Sequence, residues 1–361
     1  MKKIYLLFFF FALFSVLTIS SCRSPELEGD IVHFDADRID NAYNLLIKAS
    51  QKEPNNEEVW YYLGRTQGKK GMITEMMESF NKSLSIRETY KNQIELEKLS
   101  YFGRFYNDGV SAYNNFLKIE DRKSEEGVKL LNSIITNFST ANLIKNDFMA
   151  NRLIAVAYEN LEDPANELKF LESAATVKPD TVLAWTELGY YYMQLKDYNK
   201  ASDYFKKGLT VEPDNVECIT LYSQTLDFAG RQTEAVEAYK VAMQKNPQER
   251  AIPFNLGLIL NKMANAVQDD DAKKQALYSE AVVYFAKAHE LDPELKDVYD
   301  LESALLLQLK RYDEAEVLLK EALQRFPDSA SVWQNWSYLL LKQGKTEEAN
   351  KAFERSKQLQ N

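Results

Sequence analysis

"LAWTELGYYYMQLKDYNKASDYFKKGLTVEPDN", residues 183–215, decides the fold. Trp185, Leu188 and Tyr192 recur at three- and four-residue spacing, so they form one buried face of a helix. A second helical run carries Ala201 and Phe205 and ends before Pro213, which cannot continue a helix. Asn215 behind it suits the N-cap of a following helix. Gly189 and Ala201 are small where two antiparallel helices would cross, which lets the axes approach to about 8–10 Å. Phe205 is expected to fill the gap toward the next hairpin.

The same punctuation recurs along the chain. Pro179, Pro213 and Pro247 are 34 residues apart, as are Pro293 and Pro327, and the interval between the two sets is 46. Ala201, Ala235, Ala281, Ala315 and Ala349 repeat those intervals, so two residue types share one period and one insertion of 12 residues. With Trp185, Leu188, Gly189, Tyr192, Ala201, Phe205 and Pro213 at their offsets, this period resembles the tetratricopeptide repeat, a helix-turn-helix unit. Trp60, Leu63, Gly64 and Phe80 mark an early copy, and Trp333, Ala349 and Phe353 the last. The resemblance implies an all-α, right-handed superhelical solenoid spanning residues 38–361. Its expected parts are a half repeat at 38–53 and full repeats at about 57–90, 148–181, 182–215, 216–249, 250–295, 296–329 and 330–361. Residues 91–147 read as a divergent hairpin of two long helices around a charged turn. The insertion, "NAVQDDDAKKQA" at 264–275, reads as a solvated turn or helix extension, because the glycine and later bidentate acid of a calcium loop are absent. Thr181, Ser329 and Asn56 share the N-cap offset of Asn215.

The first 22 residues are a separate unit: Lys2 and Lys3, an apolar run from Ile4 to Leu17, then Thr18-Ile19-Ser20-Ser21-Cys22. As a helix that run spans roughly 21 Å, short of the ~30 Å core of a bilayer, so it reads as an export signal. Ile19-Ser20-Ser21-Cys22 resembles the lipobox of bacterial lipoproteins, which implies a signal peptide over 1–21, lipid on Cys22, and attachment to a membrane. The other reading is a plain secretory signal with a cysteine at its boundary. Residues 22–37 form a polar, acidic tether carrying His33, with a reach on the order of 50 Å. Arg23, where an Asp would favour the inner membrane in enteric bacteria, points to an outer-membrane location in the cell envelope. If Cys22 is acylated, Cys218 has no thiol partner and is expected to be a small core residue.

Among 361 residues there are two histidines, His33 and His289, the latter at an exposed helix end, and no phosphate loop or nucleophile elbow. The expectation is therefore no enzyme activity, no cofactor and no metal. A formal charge of −10 without a dense basic stretch argues against nucleic acid. What remains is a binding surface. The resemblance implies that first helices line a concave groove, with Tyr61, Arg65 and Lys69 in the first full copy. Tyr190, Gln194, Gln224, Phe228, Phe254, Asn261, Gln334 and Tyr338 follow in later ones. These aromatic, arginine and amide side chains suit a protein or peptide partner. The carboxylate clamp of chaperone-binding repeats is not supported, since its Lys and Asn positions read Tyr61 and Arg65, Thr186 and Tyr190. The expected role is an envelope-anchored scaffold or assembly factor, similar in layout to repeat lipoproteins that help pilus or outer-membrane assembly. The alternative is a glycan-binding component of polysaccharide export or envelope biogenesis.

Overall fold

The computed structural model describes residues 39–360. The expected signal peptide, Cys22, the tether and His33 lie outside the described residues. Among those described there are seventeen α-helices and no strand, as the helical periodicity requires. The chain divides after Glu162 into two compact units.

The first unit holds α1 (Ile39–Lys52), α2 (Glu57–Lys69), α3 (Ile73–Ile86), α4 (Lys91–Phe116), α5 (Glu125–Ile144) and α6 (Phe148–Asn160). Ala42, Leu46 and Ala49 of α1 pack on Val59 and Leu63 of α2, so the opening half repeat is a single helix seated on the next hairpin. The divergent stretch folds as the long pair α4 and α5, of 26 and 20 residues.

The second unit holds α7 (Pro164–Val177), α8 (Val182–Gln194), α9 (Tyr198–Val211), α10 (Val216–Phe228), α11 (Gln232–Lys245) and α12 (Ala251–Ala266). It continues through α13 (Asp271–Leu291), α14 (Lys296–Gln308), α15 (Tyr312–Arg325), α16 (Ala330–Lys342) and α17 (Thr346–Gln360). One apolar core runs from Ile219 to Leu339. Each helix packs on the next, and α8 also meets α10, α10 meets α12, and α14 meets α16, so the first helices line up as a layer from α8 to α12 and again from α14 to α16. The insertion lengthens both members of its hairpin, α12 to 16 residues and α13 to 21, and Asp270 caps α13 by accepting from the Lys273 amide at 2.9 Å.

Two details explain the repeat signature. The indole Nε1 of Trp60, Trp185 and Trp333 donates to the carbonyl of the proline six residues earlier, at 2.9, 2.9 and 2.7 Å, tying each first helix to the loop before it. The short turns between paired helices pass through the left-handed region at one repeat position, filled by Gly71, Gly230 and Gly344 (φ 78°) but also by Glu162 (φ 58°), Lys196 (φ 59°) and Lys310 (φ 60°), whereas the longer α4–α5 and α12–α13 turns do not. Asn56, Asn215 and Ser329 cap their helices through side-chain oxygens, whereas Thr181 makes no such bond. Phe205 is fully buried beneath α10 of the next hairpin and also packs within its own. Its ring lies against Gly189 of its own hairpin, where an added Cβ would come within 2.6 Å of it.

Candidate functional site

In the first unit the expected groove residues separate. Tyr61 is buried, stacked on Tyr90 with ring centroids 4.3 Å apart and planes 9° from parallel, so it is a core residue and not a surface contact. Burial raises its phenol pKa against the opposing effect of Arg65. Arg65 is half-buried, with Nε 2.7 Å from Glu97 Oε1 of α4, and its guanidinium lies 5.7 Å from the Tyr61 ring. Lys69 is exposed in the last turn of α2.

In the second unit the first-helix layer is cross-linked by polar side chains. Tyr190 Oη donates to Glu217 Oε1 at 3.3 Å, from α8 to α10. Lys262 of α12 donates to both carboxylate oxygens of Asp227 on α10, at 2.9 and 2.8 Å. Asn335 of α16 donates to the Asp300 carbonyl at 3.2 Å and to Ser303 Oγ at 2.9 Å on α14. Burial and the Glu217 carboxylate raise the Tyr190 phenol, which keeps it a neutral donor at ordinary pH. On this layer Tyr190, Phe228 and Tyr338 are 40%, 54% and 46% exposed, and Gln194 and Gln334 are exposed beside them. Gln224 and Asn261 are half-buried, the latter accepting from Asn265 Nδ2 at 3.2 Å. Phe254 is half-buried against the core, 6.2 Å from the Phe285 centroid, so it contributes mainly packing.

Sequence reasoning missed the acidic and basic members of this layer, Glu217, Asp227 and Lys262, which occupy groove positions of the same repeat phase. It also misplaced His289. That ring is half-buried, with Nδ1 2.7 Å from Glu302 Oε2, and Tyr299 stacks on it at 5.2 Å. The Glu302 bond raises its pKa against the effect of burial. Cys218 is fully buried and donates to the Phe205 carbonyl at 3.2 Å, and burial pushes its thiol up to about 12. It is a core residue, as read from the sequence. Among the described residues no group of three or more His, Cys, Asp or Glu could hold a metal ion.

The arrangement can offer rings, amides and paired charges to a bound chain. Tetratricopeptide repeat family models match residues 57–90, 182–215, 272–334 and 306–359. The chain therefore carries tetratricopeptide repeats, a fold typical of non-enzymatic scaffolds that bind proteins or peptides. Similar proteins include human Protein O-mannosyl-transferase TMTC3, 24% identical over 206 residues, covering 55% of this chain and 22% of that protein. TPR repeat-containing protein MJ1428 of Methanocaldococcus jannaschii is 23% identical over 338 residues, 90% of this chain and 55% of its own. Protein FlbA of Caulobacter vibrioides is 25% identical over 181 residues, 50% of this chain. The chain spans 20–28% of the length of FlbA and of the human and mouse TMTC3 proteins. Among solved structures, Pseudomonas aeruginosa PilF aligns with a TM-score of 0.41 at 20% identity, covering 57% of this chain and 88% of that one. YrrB, described as a TPR protein with an unusual peptide-binding site, aligns at 0.41 and 20%, covering 54% and 95%.

Proposed function

We propose that this chain is a protein-binding scaffold of a bacterial cell envelope, without enzymatic activity of its own, anchored through lipid on Cys22 and serving assembly there. The observation that carries the binding reading is the first-helix layer of the second unit. Tyr190 and Phe228 stand in solvent on adjacent helices beside the Asp227–Lys262 pair. Exposed rings next to fixed charges give a partner both buried area and register. The anchor rests on the Ile19-Ser20-Ser21-Cys22 sequence behind its short apolar run, and the outer membrane is preferred because Arg23 follows the cysteine.

A photo-crosslinking residue at position 228 tests the partner, with the same residue at exposed Val317 of α15 as the control surface. The expected result is a discrete protein adduct from position 228 alone. Equal adducts from both positions, or glycan recovered without protein, would overturn the reading. Metabolic labelling with a fatty acid should mark the wild type and spare Cys22→Ser. Label retained in that variant removes the anchor.

A further inference from the structure

One position repeated through the second unit separates a filled joint from an open one. Phe205, Tyr239, Phe285 and Leu319 stand at successive intervals of 34, 46 and 34 residues, each on the second helix of its hairpin. All four are 0% exposed, because the following first helix packs over them. Phe353 of α17 holds the same position 34 residues on and is 42% exposed. Its small companions are retained, Ser337 where Gly189 and Gly257 stand and Ala349 where Ala201 stands. Between α16 and α17 lies a hollow of about 390 Å³ lined by Gln334, Tyr338, Leu341, Ala349, Asn350 and Phe353. Among the described residues no helix covers it.

The filled joints show what fits there. At the α8–α9 joint, Glu217, the second residue of the incoming α10, accepts from Tyr190. Tyr338 is the repeat equivalent of Tyr190. At the α12–α13 joint, Glu302, the seventh residue of the incoming α14, meets the cation position His289, and Tyr299, its fourth residue, stacks on that imidazole. Lys357 is the equivalent of His289, where Leu209, Met243 and Leu323 stand in the other joints. The open face thus combines both acid-accepting features. Lys342 lies over the Tyr338 ring at 5.0 Å and Lys357, which also pairs with exposed Glu354 at 3.2 Å, over the Phe353 ring at 4.5 Å, a lysine and aromatic rim on a chain of net charge −10.

We propose that the α16–α17 face is a docking site for an amphipathic helix of a partner protein, seated as a further first helix. That helix carries carboxylates at its second and seventh positions and an aromatic or large apolar residue between them. The lysine rim keeps the face soluble when uncovered, as outer faces of repeat arrays must be, and selects an acidic helix over a neutral or basic one. The surface shares Gln334 and Tyr338 with the first-helix layer but is centred on Phe353 instead of Phe228.

The probe is a labelled, acetylated and amidated peptide of residues 294–309 of this chain, "ELKDVYDLESALLLQL", which has Asp297, Tyr299 and Glu302 in that register. Fluorescence anisotropy with the full chain should show saturable binding. Phe353→Glu should weaken it at least about tenfold and Lys357→Glu severalfold, with a Glu302→Lys peptide restoring affinity for the Lys357→Glu chain. Both substituted residues are exposed, so unchanged melting confirms that the variants fold. No saturation up to about 1 mM peptide, or binding indifferent to both substitutions, would overturn the proposal. So would loss of binding on Phe228→Ala, which would move the peptide to the other surface.

Discussion

Gly189→Ala probes the helix crossing on which every hairpin of this chain depends. The new Cβ would lie 2.6 Å from Cε1 and Cζ of Phe205 and 2.9 Å from Cδ1. Carbon contacts are comfortable at about 3.5–4.0 Å, so the ring has to retreat by about 1 Å. It has nowhere to go: Phe205 is fully buried, Tyr190 stands edge-on to it at 5.7 Å, and the Cys218 thiol is bonded to its carbonyl. Overpacking of this kind costs about 1–3 kcal/mol, and alanine returns about 1 kcal/mol of helix propensity, leaving a net loss of about 1 kcal/mol. Gly103 of α4 is the control, since a Cβ there meets nothing within 4 Å. Gly103→Ala should therefore stabilise by up to about 1 kcal/mol. Phe205→Leu supplies the second arm of a double-mutant cycle, because Leu319 occupies that position opposite Ser303 in the α14–α15 hairpin. With the smaller leucine side chain at position 205 the clash is gone, and a coupling of about 1–3 kcal/mol should emerge in urea midpoints followed by circular dichroism. If Gly189→Ala stabilises as Gly103→Ala does, or the two sites do not couple, close helix approach is not what Gly189 provides.

Two further outcomes follow from single residues. The Glu302 hydrogen bond raises the His289 pKa above its ordinary 6.5, so its contribution to stability is fully present below that pH and is lost as pH rises through the folded-state value. The melting difference between wild type and His289→Gln should thus be largest near pH 6 and shrink toward pH 9, and a difference that grows with pH would contradict the pairing. Lys310 sits at φ 60°, a conformation that costs an L-residue about 1 kcal/mol, so Lys310→Gly should raise the melting midpoint while Gly344→Lys, at φ 78°, lowers it. Calorimetry on both variants checks the pair, and a lower midpoint for Lys310→Gly would show that no strain is held there.

The hairpins could be read from residue identity because their causes are local. A proline that ends a helix, a small residue at a crossing and a ring three or four positions away leave the same mark in every copy. Exposure is another matter, because it is decided by what the neighbouring repeat delivers. Tyr61 stands at a groove position, yet Tyr90, in the turn before the long α4, stacks on it and closes it into the core. A signal for His289 did exist. Glu302 stands where Leu188 stands in the central copy, and a carboxylate in a buried column needs a partner, which the histidine 13 residues earlier supplies. Phe205 and Phe353 carry the point furthest. They are the same residue at the same repeat position, one sealed and one in solvent, with a small residue facing each across its own hairpin, Gly189 and Ser337. The difference is α10, packed over the first, so the exposure of Phe353 reports the lack of a covering helix among the described residues and sets the chemistry of a helix that would fit.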